Sequence, residues 1–254
     1  NNIWDSIYVS ELPSPGFITQ GACEGSNVYL IDTTTLNIGS IVSHNWLLST
    51  GASLTGDTVN FVFPSGGNYN VFLETTSAAG CTNSISSVLN IAPLPTAQFS
   101  FTNNQCEETG ITFDNQSLAN QGIISNYNWS FGDNSFSTDS IPNHAYSTFG
   151  TFTVQLAVTA NGCNDTLVQS INIIEKPIAK FSAYNTCIGE TVLFSNSSSF
   201  GGGGSNTSSW EFGDGDISSD NSPSHAYPNT SGSYIVNLVE TASNGCTDTL
   251  QTEI

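Results

Sequence analysis

Two pairs of side chains could move protons in this chain: Asp133 with His144, and Asp214 with His225, each at the same spacing. A carboxylate that orients an imidazole is one half of an acid–base or nucleophilic device; the other half is a nucleophile or a second acid at a fixed place. No such group recurs at one spacing in both stretches, and the corresponding part of an earlier copy lacks both Asp and His. A second chemistry is hinted at in "FGDGDISSD", where Asp214, Asp216 and Asp220 crowd together as calcium ligands do. That stretch lacks the closing Glu and the ligand order of an EF-hand, and its counterpart "FGDNSFSTD" keeps only Asp133 and Asp139. The glycine run Gly201–Gly204 is followed by no Lys-Ser/Thr, so it reads as a flexible insertion and not as a phosphate loop. Calcium at the three aspartates is thus the one candidate cofactor, and no catalytic residue is assigned.

The phrases around these residues offer a structural reading. Trp129, Phe131, Gly132 and Asp133 lead to His144 and Tyr146, just as Trp210, Phe212, Gly213 and Asp214 lead to His225 and Tyr227. Trp and Phe at i and i+2 of a strand share a face and enter a core together. An Asp at the start of a hairpin turn accepts a hydrogen bond from the amide two residues on.

The phrases are part of a repeat of roughly 80 residues. Trp46, Trp129 and Trp210 keep step with Cys23, Cys106 and Cys187, and with Cys81, Cys163 and Cys246. "PTAQFSF" matches "PIAKFSA"; "NGCNDTLVQS" matches "NGCTDTLQTE", with "AGCTNSISSV" as the first version. Apolar and polar residues alternate in "TFTVQLAV" and "SYIVNLVE", runs bounded by Gly, Asn, Asp and Pro. No helical periodicity is sustained. About seven short strands per repeat imply an all-β chain of tandem immunoglobulin-like sandwiches placed end to end. The expected domains are 12–93, a divergent copy, then 94–176, and 177–254 with its last strand truncated; residues 1–11 read as the last strand of a preceding repeat. Short proline-bearing linkers, "IAPLPT" and "IEKPIA", favour semi-rigid connections. The chain reads as a window on a longer array.

Composition narrows function. Across 254 residues there are 21 Asp and Glu against two Lys and Arg, for a net charge of −19. Such a surface repels phosphate backbones and anionic lipid, so nucleic acid is excluded as a partner. No run approaches the length of a membrane span, so no membrane insertion is expected. An even count of six cysteines and regular spacing point to disulfides and an oxidising, extracellular setting.

At this point the residues resemble a family. Trp-x-Phe-Gly-Asp followed by His-Ala-Tyr and an alternating strand is similar to the signature of PKD (polycystic kidney disease) domains. The added "NGC-x-DT" and the first cysteine of each copy resemble the PKD arrays of Bacteroidota surface proteins, among them gliding-motility adhesins and other type IX secretion cargo. The first copy departs, with "NWLLSTG" and "FVFP" in place of the two motifs. The resemblance implies a non-catalytic stalk segment of a secreted cell-surface adhesin or filament, used in gliding or attachment. Its partners would be neighbouring repeats, surface glycans or other surface proteins. The alternative is a polysaccharide-binding accessory region of a secreted hydrolase, for which Trp4, Phe136 and Phe200 are the aromatic candidates.

Two modifications complete the reading. In a seven-strand sandwich the first cysteine of each copy lies in the turn between its first two strands and the second in the turn before its last strand, at opposite poles. A strand of eight residues spans roughly 26 Å, and a disulfide needs Cα atoms within about 7 Å. Staggered bridges Cys23–Cys163 and Cys106–Cys246 follow, with Cys81 and Cys187 reaching other domains; local bridges Cys23–Cys81, Cys106–Cys163 and Cys187–Cys246 remain open as the alternative. Asp-Ser/Thr pairs followed by a small or aliphatic residue or Thr resemble a Bacteroidota O-glycosylation site, making Ser6, Thr33, Thr58, Ser140, Thr166 and Thr249 the candidate acceptors.

Overall fold

The computed structural model describes residues 9–102, 105–184, 187–201, 206–228 and 231–254. Of the residues singled out above, Trp4, Ser6 and Gly202–Gly204 lie outside these, as do residues 1–8 of the strand expected over 1–11. Val9–Leu12 are described and form no strand. They lead into the first repeat, where Glu11 accepts a hydrogen bond from Asn37 Nδ2 at 2.6 Å and Ser14 bridges Thr35.

Among the described residues there are strands and no helices, seven strands to a repeat. The first repeat holds β1 (Phe17–Gln20), β2 (Asn27–Asp32), β3 (Ile41–Leu48), β4 (Ser53–Thr55), β5 (Thr58–Val62), β6 (Gly67–Ser77) and β7 (Thr82–Ile91). The second holds β8 (Phe99–Phe101), β9 (Ile111–Asn115), β10 (Ile124–Ser130), β11 (Phe136–Ser137), β12 (Asn143–His144), β13 (Gly150–Ala160) and β14 (Cys163–Ile173). The third holds β15 (Phe181–Tyr184), β16 (Thr191–Asn196), β17 (Asn206–Glu211), β18 (Ile217–Ser218), β19 (Ser224–Ala226), β20 (Ile235–Ala242) and β21 (Thr247–Glu253). Each repeat makes the same two sheets: β1-β2-β5 and β4-β3-β6-β7, then β8-β9-β12 and β11-β10-β13-β14, then β15-β16-β19 and β18-β17-β20-β21.

Alternation explains which strands face inward. Along β13, Val154, Leu156, Val158 and Ala160 are all fully buried while the residues between them are not. In β20 the matching face carries Val236, Leu238 and Glu240. Side chains of period two can line one sheet face, so a run of this kind fixes register as well as burial.

By packing the chain divides into two compact units. One holds the chain to Gln98 with Gln116–Tyr127 and Leu156–Leu167; the other holds Phe99–Asn115, Asn128–Gln155 and Val168–Ile254. The division therefore runs through the second repeat, assigning its Cys163 segment to the first unit and its Cys106 segment to the other. In the first unit the core is Val28, Leu30, Trp46, Leu48, Val59, Phe63, Val71, Leu73, Leu89 and Ile91. In the second, the third repeat gathers Ala179, Val192, Phe194, Trp210, Phe212, Val236 and Leu238.

Thr75, Ser77, Ser208 and Glu240 are the buried polar residues among those described, and Glu240 is the charged one. Glu240, with no exposure, accepts hydrogen bonds from Asn196 Nδ2 at 2.6 Å, Ser208 Oγ at 2.9 Å and Asn206 Nδ2 at 3.1 Å. A buried carboxylate persists only when it is hydrogen-bonded in this way.

Candidate functional site

The Trp-x-Phe-Gly-Asp motif is built from a strand and the hairpin that follows it. Trp129 and Phe131 are each 2% exposed, and their rings stack with Phe131 lying on the His144 ring at 4.3 Å. Phe212 lies on His225 at the same 4.3 Å. The indole N–H donates across the hairpin to a backbone carbonyl in every repeat: Trp46 to Gly56 O at 2.9 Å, Trp129 to Asp139 O at 3.0 Å, and Trp210 to Asp220 O at 2.9 Å. On its other side each Trp receives a first-strand phenylalanine edge-on, at 5.3 Å for Phe17 and 5.1 Å for both Phe99 and Phe181.

Gly132 and Gly213 adopt φ of +86°, and a Cβ there would stand 2.7 Å from Thr153 O or 2.6 Å from Ile235 O. Both the backbone conformation and the close approach of the next strand therefore require glycine. The aspartate that follows closes the turn: Asp133 Oδ1 accepts from Ser135 N at 3.0 Å, Asp214 Oδ1 from Asp216 N at 3.2 Å. Their second oxygens meet His144 Nε2 at 2.8 Å and His225 Nε2 at 2.7 Å. Finally Tyr146 and Tyr227 donate to the carbonyls of Phe131 and Phe212 at 2.9 and 3.0 Å.

The electrostatics follow from these contacts. Burial alone raises the carboxyl pKa of Asp133, but hydrogen bonds from the Ser135 hydroxyl and amide and from His144 outweigh it and hold it below its ordinary value. For Asp214 burial is likewise outweighed, by His225 and the Asp216 amide. Burial, helped by the nearby aspartates, pushes the Tyr146 phenol well up and that of Tyr227 up to about 12.

The geometry is not that of a catalytic triad. Ser135 Oγ lies 3.2 Å from His144 Nε2, the same nitrogen that Asp133 holds, and its hydroxyl is itself bonded to Asp133. A working triad uses opposite ring nitrogens for nucleophile and carboxylate. In the third repeat the residue at Ser135's place is Asp216. The pair instead ties the hairpin to β12 and β19.

The acidic cluster is also rearranged. Asp214 and Asp216 are joined by His225, with donor atoms within 4.8 Å of one another, and Asp220 is not part of the group. Asp220 serves the fold through its carbonyl, which accepts the Trp210 N–H. Two carboxylates and an imidazole nitrogen are far from the six to eight oxygens that calcium takes, and Asp214 already faces His225.

In the first repeat Phe61 holds the place of His144 and pairs with Val28, yet a His–Asp pair is present all the same. His44 Nδ1 meets Asp32 Oδ2, Asp32 being almost fully buried, and Asp32 Oδ1 accepts the Thr34 amide at 2.7 Å. The repeat thus keeps the chemistry with residues from β2 and β3. No phrase in the sequence signalled it, because the spacing differs.

The cysteines are joined as Cys23–Cys163 and Cys106–Cys246, both with Cα atoms 5.7 Å apart. Cys81 and Cys187 are free thiols. The local bridges Cys23–Cys81, Cys106–Cys163 and Cys187–Cys246 do not form. Cys23 bridges Ala92, which follows β7, while Cys81 precedes it. Ten residues of strand separate them by roughly 30 Å. Cys106 similarly bridges Ile174, at the far end of the strand that begins at Cys163.

Beside Cys23 and Cys106 the next residue, a glutamate, clamps the linker. Glu24 accepts the amides of Leu94 at 3.1 Å and Gly66 at 2.6 Å; Glu107 accepts the Lys176 amide at 3.1 Å. The aspartate of "NGC-x-D" holds the entry of the first strand, Asp165 accepting from Ala97 N and Asp248 from Ala179 N, each at 2.8 Å. Lys176, one of the two lysines, pairs with Glu108 and lies 3.8 Å from Asp248.

The PKD domain family model matches residues 90–174 and 174–254. The chain belongs to the PKD domain family. Similar solved structures include the PKD1 domain of Vibrio anguillarum Epp, 26% identical over 32% of this chain and 93% of that domain, TM-score 0.30. The PKD1 domain of the Vibrio cholerae metalloprotease PrtV is 31% identical over 32% of this chain and 96% of its own, TM-score 0.29. The titin I-band fragment I67-I69 is 12% identical over 96% of this chain and 98% of the fragment, TM-score 0.39.

On the PKD repeats the remaining candidates are placed as follows. Thr33, Thr58, Ser140, Thr166 and Thr249 are all exposed. Phe136 is 74% exposed whereas Phe200 is partly buried, and they belong to different repeats. No helix among the described residues is long and apolar enough to cross a membrane.

Proposed function

We propose that this chain is a stalk segment of a secreted cell-surface protein, an adhesin or filament of the kind used in attachment or gliding, whose PKD repeats bear tension. The observation that carries this reading is the staggered pair of disulfides, each running from one repeat into the next and enclosing 140 residues. They interleave, so a pull on the two ends follows the chain to Cys23, crosses to Cys163, returns to Cys106 and crosses to Cys246. The stretchable path falls from 254 residues to roughly 90.

Other features fit an exposed polymer. Two basic residues in the whole chain leave few sites for trypsin-like proteases, and the net charge of −19 opposes aggregation. Disulfides persist in oxidising compartments, which favours an extracellular location. The partners would be neighbouring repeats, with surface glycans or other surface proteins met elsewhere in the assembly. The exposed threonines and Ser140 are the acceptors proposed for O-linked sugar.

Surface shaving of intact source cells under non-reducing conditions tests the proposal. Release of peptides linking Cys23 to Cys163, some bearing added sugar mass at Thr166 or Thr249, is expected. Recovery of the chain solely after lysis, with these thiols reduced, would overturn it.

A further inference from the structure

The turn that carries the first cysteine is the same in all three repeats. Ser26 N donates to Cys23 O at 3.4 Å, Thr109 N to Cys106 O at 3.3 Å, and Glu190 N to Cys187 O at 3.1 Å. In the first two repeats that cysteine is bonded to the cysteine before the last strand of the following repeat. In the third, Cys187 occupies the identical turn with an exposed, free thiol.

The surface beside it differs in the same sense. At the position of Glu24 and Glu107, which clamp a linker, stands Ile188, 64% exposed. Phe63 and Tyr146, the aromatic residues at the end of β5 and after β12, have no exposure, whereas their counterpart Tyr227 is only partly buried. Tyr227 stacks on Tyr234 at 4.2 Å, and together with Ile188, Val192, Pro228 and Ile254 they line a cavity of about 170 Å³ that opens next to Cys187. A recess with aromatic walls, polar groups including Glu190 at its rim and a thiol at its edge is a docking face whose occupant the other repeats specify.

We propose that the Cys187 face of the third repeat docks the end of a further PKD repeat, closed by a disulfide from Cys187 to the cysteine before that repeat's last strand. This inference rests on the stalk reading and states how such a stalk is extended. The occupant is chemically defined: a cysteine, one spacer, and a side chain that pins the repeat's own first strand, as in Cys163-Asn164-Asp165 and Cys246-Thr247-Asp248. Cys81-Thr82-Asn83 has this pattern too, with Asn83 Nδ2 donating to Pro13 O at 2.8 Å, and its thiol is free. A second copy of this chain therefore presents a fitting end. Joining the thiols releases two protons and two electrons, which one glutathione disulfide accepts on becoming two glutathione thiols.

The test uses the full chain and its Cys81→Ser and Cys187→Ser variants in a glutathione redox buffer. The parent chain should form a head-to-tail ladder on non-reducing gels, with a Cys81–Cys187 linked peptide by mass spectrometry. Each variant alone should remain monomeric, and their equimolar mixture should stop at a dimer, in at least ~10-fold greater yield than either variant alone. Dimers of Cys81→Ser through Cys187–Cys187 at equal yield, or glutathione adducts without cross-links, would overturn the inference. Either result would leave the two internal disulfides, and so the stalk reading, standing; loss of those bridges from the parent chain would instead defeat that reading itself.

Discussion

At Gly132 and Gly213 a single hydrogen atom decides whether the hairpin can form. Gly132→Ala must hold φ near +86° and displace the Thr153 backbone, so a loss of about 2–4 kcal/mol is expected in urea melts of the full chain. Gly245→Ala, where a Cβ meets nothing within 4 Å, pays the conformational cost alone and should lose about 1 kcal/mol. The neighbouring aspartates make stability depend on pH. Asp133 and Asp214 have carboxyls held below their ordinary value, so their contribution is present above that value, about 3.9, and is lost as pH falls through the lower folded value. Tyr227 has the opposite sign: its contribution is full below the ordinary phenol value of about 10 and is lost as pH rises towards about 12. Melting temperatures should decline at both extremes. In the double variant Asp133→Asn, Asp214→Asn the acid limb should shrink, and the alkaline limb should persist in reduced form, because burial, the larger cause, still holds the phenols up.

At this scale the sequence was informative where one residue type has one physical use. Gly before Asp, and Trp two positions before Phe, announce a turn and a core face. It was silent where the partner is a backbone atom or is far away in sequence. Asp220 looked like a ligand because its carboxylate was visible in the sequence and its carbonyl, the acceptor for Trp210, was not. The Asp32–His44 pair could not be found by aligning motifs, since the first repeat builds it from other strands.

At the level of elements, alternation in β13 and β20 was enough to give the sheet face, and the recurrence of seven strands gave the sandwich. The alternation also puts Glu240 on the inward face, where apolar residues are the rule. Its three donors come from β16 and β17, so the compensation is tertiary and no local pattern reports it. Glu240→Ala would leave those donors buried and unpaired, a loss of about 3 kcal/mol in the third repeat; Glu240→Gln, whose carbonyl oxygen can still accept from Asn196 and Ser208 while only the Asn206 bond is lost, should lose less. The junction clamps act between elements in a similar manner. Asp248→Ala removes the acceptor for the Ala179 amide at the entry to β15 and should loosen that strand by about 1–2 kcal/mol, seen as faster amide exchange at Ala179.

For the whole molecule the cysteine pairing matters more than any single domain. The poles of a sandwich were legible because the cysteines precede or follow strands too long to bridge. The staggered pairing of Cys23 with Cys163 and Cys106 with Cys246 followed from those poles and is the one formed, while the local alternative that the sequence left open is not. Closing a loop of 140 residues restricts the unfolded chain by an amount worth about 5 kcal/mol for one bridge taken alone; because the two loops interleave, their effects are not additive. Reduction should therefore lower the melting temperature and release motion that oxidation suppresses.

The most direct test is to pull single molecules by their two ends until every repeat has unfolded, first oxidised and then with a thiol reductant. The interleaved bridges predict that the oxidised chain stops at roughly 300 Å, and that reduction lengthens it to roughly 900 Å. A chain that reaches the longer extension without reductant would show that the disulfides lie outside the path of the force, and the account of a covalently braced stalk would fail.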